Sequence, residues 1–307
     1  MTLHSTEDLI TKAYSGYLGA WYSVTSRWPI GLNIFDRDWD LCIILDACRV
    51  DALRSVQEDY GFLDGIETVT SIGSTSAEWM AHTFVDRHAD ALPTTAIVSA
   101  NAFTEWVLLD GNPPSDFGTG PLVSHENWST VADPSFAHCE LHYGAATKTY
   151  HDSRGITEKA ITVGRTIDPD RLIVHYSRPH APYTSDGGTD DLARYESDPF
   201  EYLKDGGDLR RVWEAYVNNL TTVLDYVDRL LSNYDAPRTV ITADHGEGFG
   251  ELGHYGHAAG YLHPMVKRVP WAETTAVDDR GYQPDVMLSG ETATSVESRL
   301  ADLGYRD

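Results

Sequence analysis

The chain has 307 residues, 47 of them Asp or Glu against 23 Lys or Arg, for a formal net charge of -24 at pH 7. A surface this acidic repels nucleic acid and anionic membranes, which argues against a phosphate-backbone binder. The acidic residues are scattered rather than massed in a tail, as on a solvated surface adapted to high salt, and at 41% hydrophobic residues the chain can bury a core of one large α/β domain or two small ones.

The N-terminal stretch MTLHSTEDLITKAYSGYLGAWYSV has acidic residues early and no apolar run of signal-peptide type. No stretch approaches the ~20 apolar residues needed to span a bilayer, so the chain is expected to be soluble and cytoplasmic, without a membrane span. Cys42, Cys48 and Cys139 are odd in number and form no CxxC pair, which fits a reducing compartment and no disulfide framework. DLCIILDA (Asp40 to Ala47) is a short, β-branched apolar run bounded by charge, the pattern of a strand buried on both faces. CRVDALRSVQEDYG then has helical spacing and a Gly stop. IETVTS (Ile66 to Ser71) predicts a strand, TSAEWMAHTFVDRHAD a helix, and TTAIVSA (Thr94 to Ala100) another strand.

The segment from about 110 to 151 is rich in Gly, Pro, Ser and His and reads as loops. RGITEKAITVGRTI predicts a helix and RLIVHYS (Arg171 to Ser177) a strand; an irregular insertion over 178–207 follows, of the kind that carries binding groups. Asp208 to Tyr234 is the best helix, with Val212, Tyr216, Leu220, Val223, Val227, Leu230 and Leu231 in one apolar stripe. PRTVITAD is the last strong strand, and SVESRLADLGY predicts a short C-terminal helix. Strands alternating with helices predict a parallel sheet covered on both faces, which binds ligands beyond the C-terminal ends of its strands.

The residues at those ends are costly ones. Asp46 follows the first strong strand; Asp244 and His245 follow the last, opening the stretch DHGEGFGELGHYGH. Carboxylates brought together at a sheet edge repel unless a cation intervenes, and mixed oxygen and imidazole donors suit one divalent ion: Mn²⁺, Mg²⁺, Ca²⁺ or Zn²⁺. After IETVTS, the hydroxyls of Ser74, Thr75 and Ser76 open a predicted helix whose N-terminus favours anions, which suits a nucleophile; Thr75 with Glu78 also reads as a capping box, and the two roles are compatible. His175, His180, His254 and His257 lie near the same strand ends and suit an anionic substrate.

DLCIILDACRVDAL, TSIGSTSAEWM, HYSRPHAPY, ITADHGEGFGELGHYGH and KRVPW, in that order, resemble the sulfatase branch of the alkaline phosphatase superfamily. The resemblance implies a three-layer α/β/α sandwich with a mostly parallel central sheet, over residues 1–307 as one domain with insertions near 110–151 and 178–207. It implies Asp46, Asp244 and His245 as metal ligands and Thr75, shared with the metal, as nucleophile, with Ser74 and Ser76 as neighbouring hydroxyls. It implies His180 and His257 as catalytic contacts to the oxyanion, and Arg49, His175 and His254 as supporting or substrate-binding groups. The loop lacks the C-x-P-S-R of formylglycine sulfatases, which turns the expectation from sulfate esters toward a hydroxyl nucleophile acting on a phosphate diester or a related sulfate or phosphonate ester. The expected partner is an anionic small-molecule or glycan ester. A phosphoglycerol-type transferase and a non-catalytic binding protein are the alternatives.

Overall fold

The computed structural model describes residues 6–25, 27–112, 130–131, 135–142, 152–184 and 192–288. In chain order its elements are α1 (Thr6–Thr25), β1 (Leu41–Leu45), α2 (Val50–Ser55), β2 (Glu67–Thr70), α3 (Ser76–Thr83), β3 (Thr95–Ser99), β4 (His138–Leu141), α4 (Ser153–Ile167), β5 (Arg171–Tyr176), α5 (Arg194–Ser197), α6 (Pro199–Lys204), α7 (Leu209–Leu231), β6 (Ala236–Thr242), β7 (Gly248–Phe249), β8 (Tyr255–Gly256), α8 (Pro264–Lys267) and β9 (Arg268–Ala276). Seven strands form one sheet in the order β2-β9-β6-β1-β5-β3-β4, while β7 and β8 form a separate ribbon. The sheet is parallel except for β9, which runs antiparallel to both β6 and β2.

The apolar run of β1 is buried at all five positions because it sits between β6 and β5 with helices on both faces. Adjacent residues of β5 identify those faces. Tyr176 bonds its hydroxyl to Thr157 of α4 at 2.7 Å, whereas His175 meets the ring of Trp79 of α3 edge-on at 5.8 Å. Successive strand residues point to opposite faces, so α4 and α3 cover opposite sides of the sheet and the molecule has three layers. The helix α7 packs beside α4 through its stripe, with Val212, Tyr216, Leu220, Val223, Val227 and Leu230 fully buried.

Tertiary packing shortens or adds several elements. The predicted helix from Thr75 stops at Thr83, where Asn33 donates its side-chain amide to the carbonyls of His82 and Thr83 at 3.0 and 2.9 Å. Phe84 then leaves the helix to pack edge-on against Phe35, Trp79 and Phe136. The helix after β1 ends at Ser55 and continues only as a 3-10 turn. β4 lies inside the segment read as loops, α5 and α6 inside the 178–207 insertion, and β9 was not expected from the sequence. The predicted C-terminal helix falls outside the described residues, as does most of 110–151. No helix among the described residues is long and apolar enough to cross a membrane.

Candidate metal centre and active site

Strand register assembles the site. Ile44 of β1 is level with Thr242 of β6 and His175 of β5, and His175 is level with Ser99 of β3. Two residues further along three of these strands stand Asp46, Asp244 and Asn101. The side-chain period of a strand is two, so all three point the same way as His175. The result is a cluster at the C-terminal ends of four neighbouring parallel strands, with Asp46, His175, Asp244 and His245 each 1% exposed or less.

Donor atoms of Asp46, His175 and Asp244 lie within 4.8 Å of one another. His245 turns its Nε2 toward the same space, 3.5 Å from Asp46 Oδ1 and 3.6 Å from Asp244 Oδ2. Its Nδ1 donates to the Gly246 carbonyl at 2.9 Å, which fixes the tautomer that leaves Nε2 free to ligate. Asp244 is the pivot: its Oδ1 accepts from Ala47 N at 3.2 Å and His245 N at 2.9 Å, and its backbone carbonyl accepts from the Ser71 hydroxyl.

The electrostatics call for a cation. Burial, then the charges of Asp244 and Glu247, push the Asp46 pKa well above the ordinary carboxylate range. Burial also opposes ionisation of Asp244, but His245 and His175 outweigh it and hold that carboxyl well below its usual value. Burial pushes His245 down to about 4, against the pull of Asp244, so its imidazole is neutral and available as a ligand at neutral pH. Asp46 Oδ1 and both ring nitrogens of His175 are buried without a hydrogen-bond partner among the described residues. Orphaned buried polar atoms of this kind cost several kcal/mol in total, at roughly 1–3 kcal/mol each. An ion bound by the Asp46 carboxylate oxygen and one His175 ring nitrogen would satisfy two of the three, so this donor set fits a divalent metal.

The three neighbouring hydroxyls part company. Thr75 is the N-cap of α3, its Oγ1 accepting from Glu78 N at 3.2 Å. Ser74 donates to Glu78 Oε2 at 2.5 Å. Ser76 enters the cluster: its Oγ donates to Asp244 Oδ2 at 2.6 Å, accepts from Asn101 Nδ2 at 2.9 Å, and lies 3.5 Å from His245 Nε2. Asn101 Nδ2 also donates to Asp46 Oδ2 at 2.9 Å and so bridges hydroxyl and carboxylate. Gly73 permits this entry, because a Cβ there would lie 2.3 Å from Trp79 N.

A second cluster adjoins the first. Donor atoms of His180, Glu247 and His257 lie within 4.8 Å of one another, and the His257 ring is 4.1 Å from that of His245. His257 Nδ1 donates to buried Glu247 at 3.0 Å. Burial disfavours the imidazolium of His257, but the Glu247 carboxylate prevails and its pKa is raised. His180 is lowered by burial and by His257, and its Nδ1 donates to the Ala181 carbonyl at 2.6 Å. Arg49 is 5% exposed and committed to Asp51, Glu251 and the Glu247 carbonyl, bracing the two loops rather than opening onto the cluster. His254 is exposed, with its ring edge-on to Tyr261 and tilted against His263. Asn101, Glu247 and Ser71 also contribute to the site and are not among the residues the motifs point to. Asn101 had a signal, since it directly follows a predicted strand.

No protein-family model matches the chain, and no curated protein does. Among solved structures, the chain is similar to the soluble domain of lipooligosaccharide phosphoethanolamine transferase A from Neisseria meningitidis (TM-score 0.41, 16% identity, 78% of this chain and 77% of that chain). It is also similar to a 2-O GAG sulfatase, of which it spans 64% (TM-score 0.42, 14% identity, 77% of this chain). A third is the phosphonate monoester hydrolase of Agrobacterium radiobacter (TM-score 0.38, 14% identity, 77% of this chain and 68% of that chain).

Proposed function

We propose that this chain is a metal-dependent ester hydrolase acting at phosphorus, on a phosphate diester or a related anionic ester of a small molecule or glycan, with Ser76 rather than Thr75 as its nucleophile. One observation carries the proposal. Ser76 Oγ is held between a donor, Asn101, and an acceptor, Asp244, beside a cluster in which Asp46 Oδ1 and both ring nitrogens of His175 lack hydrogen-bond partners among the described residues.

A divalent ion held by Asp46, His175, Asp244 and His245 would supply Lewis-acid stabilisation of negative charge and ease ionisation of the adjacent hydroxyl. The chain's own groups do the rest. Asp244 Oδ2 accepts the Ser76 hydroxyl's hydrogen bond and so aims its oxygen, the proton would be lost to solvent beside such an ion, and Asn101 Nδ2 orients the oxygen and steadies its developing charge. Ser76 begins α3, so the approaching phosphoryl oxygens meet the positive end of that helix. His257, whose imidazolium the Glu247 carboxylate favours, would give a proton to the leaving oxygen. Attack on a phosphate diester expels one alcohol and leaves the remaining alkyl phosphate esterified to Ser76 Oγ; water then attacks phosphorus, the Oγ–P bond breaks, a proton returns to the serine oxygen and a phosphate monoester departs.

Turnover of bis(nitrophenyl) phosphate with Mn²⁺, Mg²⁺, Ca²⁺ or Zn²⁺ tests the activity, and intact-mass and peptide analysis tests for a nitrophenylphosphoryl group on Ser76. Turnover with the label on Thr75 would remove Ser76 from its role. No turnover with any of the four ions would favour a non-catalytic binding protein. Transfer to an added alcohol in preference to water would make the enzyme a transferase.

A further inference from the structure

The apolar stripe of α7 carries two polar side chains on its buried side, and both reach into the loops of the candidate site. Tyr216 donates its hydroxyl to the Ala47 carbonyl at 2.8 Å and accepts from Arg49 N at 2.9 Å, clamping the turn directly after Asp46. Ala47 in that turn is left-handed, with φ 60°, a conformation that a non-glycine residue adopts only when its surroundings impose it.

Asn219, three residues later and so on the same helix face, acts on the other loop. It is 1% exposed. Its Nδ2 donates to the carbonyls of Pro179 at 3.1 Å and His180 at 3.2 Å, and its Oδ1 accepts from Arg178 Nη1 at 2.6 Å. From the other side, His180 N donates to the Asp46 carbonyl at 3.0 Å. The His180 backbone is therefore gripped on one side by α7 and on the other by the metal-ligand loop. Its Nδ1 is already committed to Ala181, so its Nε2 is the nitrogen left for Glu247, His257 and the substrate. A buried amide that makes three of its four bonds to one loop is costly to place in a helix, and packing alone would be served by Leu.

We propose that Asn219 is a positioning residue that sets the His180 imidazole for the reaction. The inference rests on the functional reading above for its catalytic meaning, but not for its structural test. Asn219→Asp is the informative variant. It keeps an acceptor, now charged, for Arg178, and removes the donor to the two carbonyls.

The first measurement is the ¹⁵N spectrum of the histidine side chains in the full-length protein. In the wild type His180 should show one neutral tautomer, protonated at Nδ1; in Asn219→Asp its resonances should shift to an averaged or exchange-broadened pair. An unchanged His180 signature overturns the proposal whether or not any substrate is turned over. The second is a double-mutant cycle on a nitrophenyl phosphodiester. Asn219→Asp should lower kcat by about 10- to 100-fold with little change in KM or bound metal, as expected for a displacement of about 1 Å at the reacting groups. In the His180→Ala background the same change should have no further effect. Equal losses in both backgrounds, with a matching fall in Tm, would make Asn219 a structural residue only. A wild type that shows the tautomer shift on substitution but turns over nothing would sink the enzymatic reading and leave the positioning intact.

Discussion

At the scale of single residues, the neighbours Thr75 and Ser76 are the sharpest contrast. Both are hydroxyls at the start of α3, yet one caps the helix and the other faces Asp244. Ser76→Ala is expected to lower kcat by at least about 10³-fold while leaving the circular dichroism spectrum unchanged, because it removes the attacking oxygen and no packing. Thr75→Ala is expected to lose about 1 kcal/mol of stability by urea titration, the usual cost of an N-cap, and to keep most of its activity. If the two variants exchange these behaviours, Thr75 is the nucleophile. Asp244→Ala removes the pivot on which Ser76, Ala47 and His245 converge. It is expected to copurify with no stoichiometric metal by elemental analysis while remaining folded.

At the scale of elements, α3 is held from several sides by one buried carboxylate. Glu78 accepts from Trp21 Nε1 of α1 at 2.7 Å and from Ser74 N at 2.9 Å, so the Ser74 loop, α3 and α1 are tied together. Lys267 reaches the same loop at the Gly73 carbonyl, 3.2 Å away, and burial pushes its pKa down to about 8. One turn beyond Glu78, burial pushes His82 down to about 4; Glu78 pulls it up and Lys267 adds to the depression. The folded pKa of His82 lies below its unfolded value, so between about pH 6.5 and 4 the unfolded chain binds the extra proton. Stability from this group is therefore full above about pH 6.5 and lost as pH falls toward 4, by on the order of 3 kcal/mol. Urea denaturation across that window should show the slope, and His82→Gln should flatten it. A variant as acid-labile as the wild type would assign the slope to other groups.

At the scale of the whole molecule, the formal charge of -24 opposes the compact state. Its repulsion is screened within ~10 Å at about 0.1 M salt and ~3 Å at about 1 M. The melting temperature is therefore expected to rise steadily over that range of NaCl, and a flat response would mean that the acidic surface is locally neutralised. The sequence by itself determined five of the seven strands of the central layer. Runs such as LCIIL in β1 and TAIVS in β3, short, β-branched and bounded by charge or turn residues, read as buried strands, and the stripe of α7 reads as a face packed against the core. It also placed Asp46, Asp244 and His245 at strand ends, since those ends are local in the chain. β9 was illegible because Pro270 and the polar Glu273, Thr274 and Thr275 break the strand pattern, and only pairing with both β2 and β6 makes RVPWAETTA a strand. The choice among Ser74, Thr75 and Ser76 turns on a rotation of about 100° per residue at the first turn of α3, which no local pattern specifies. Asn101, Glu247 and Asn219 likewise acquire their roles only when strands and helices far apart in the chain are brought into register. Burial and periodicity are written along the sequence; the distance between two side chains from different elements is decided by how those elements pack.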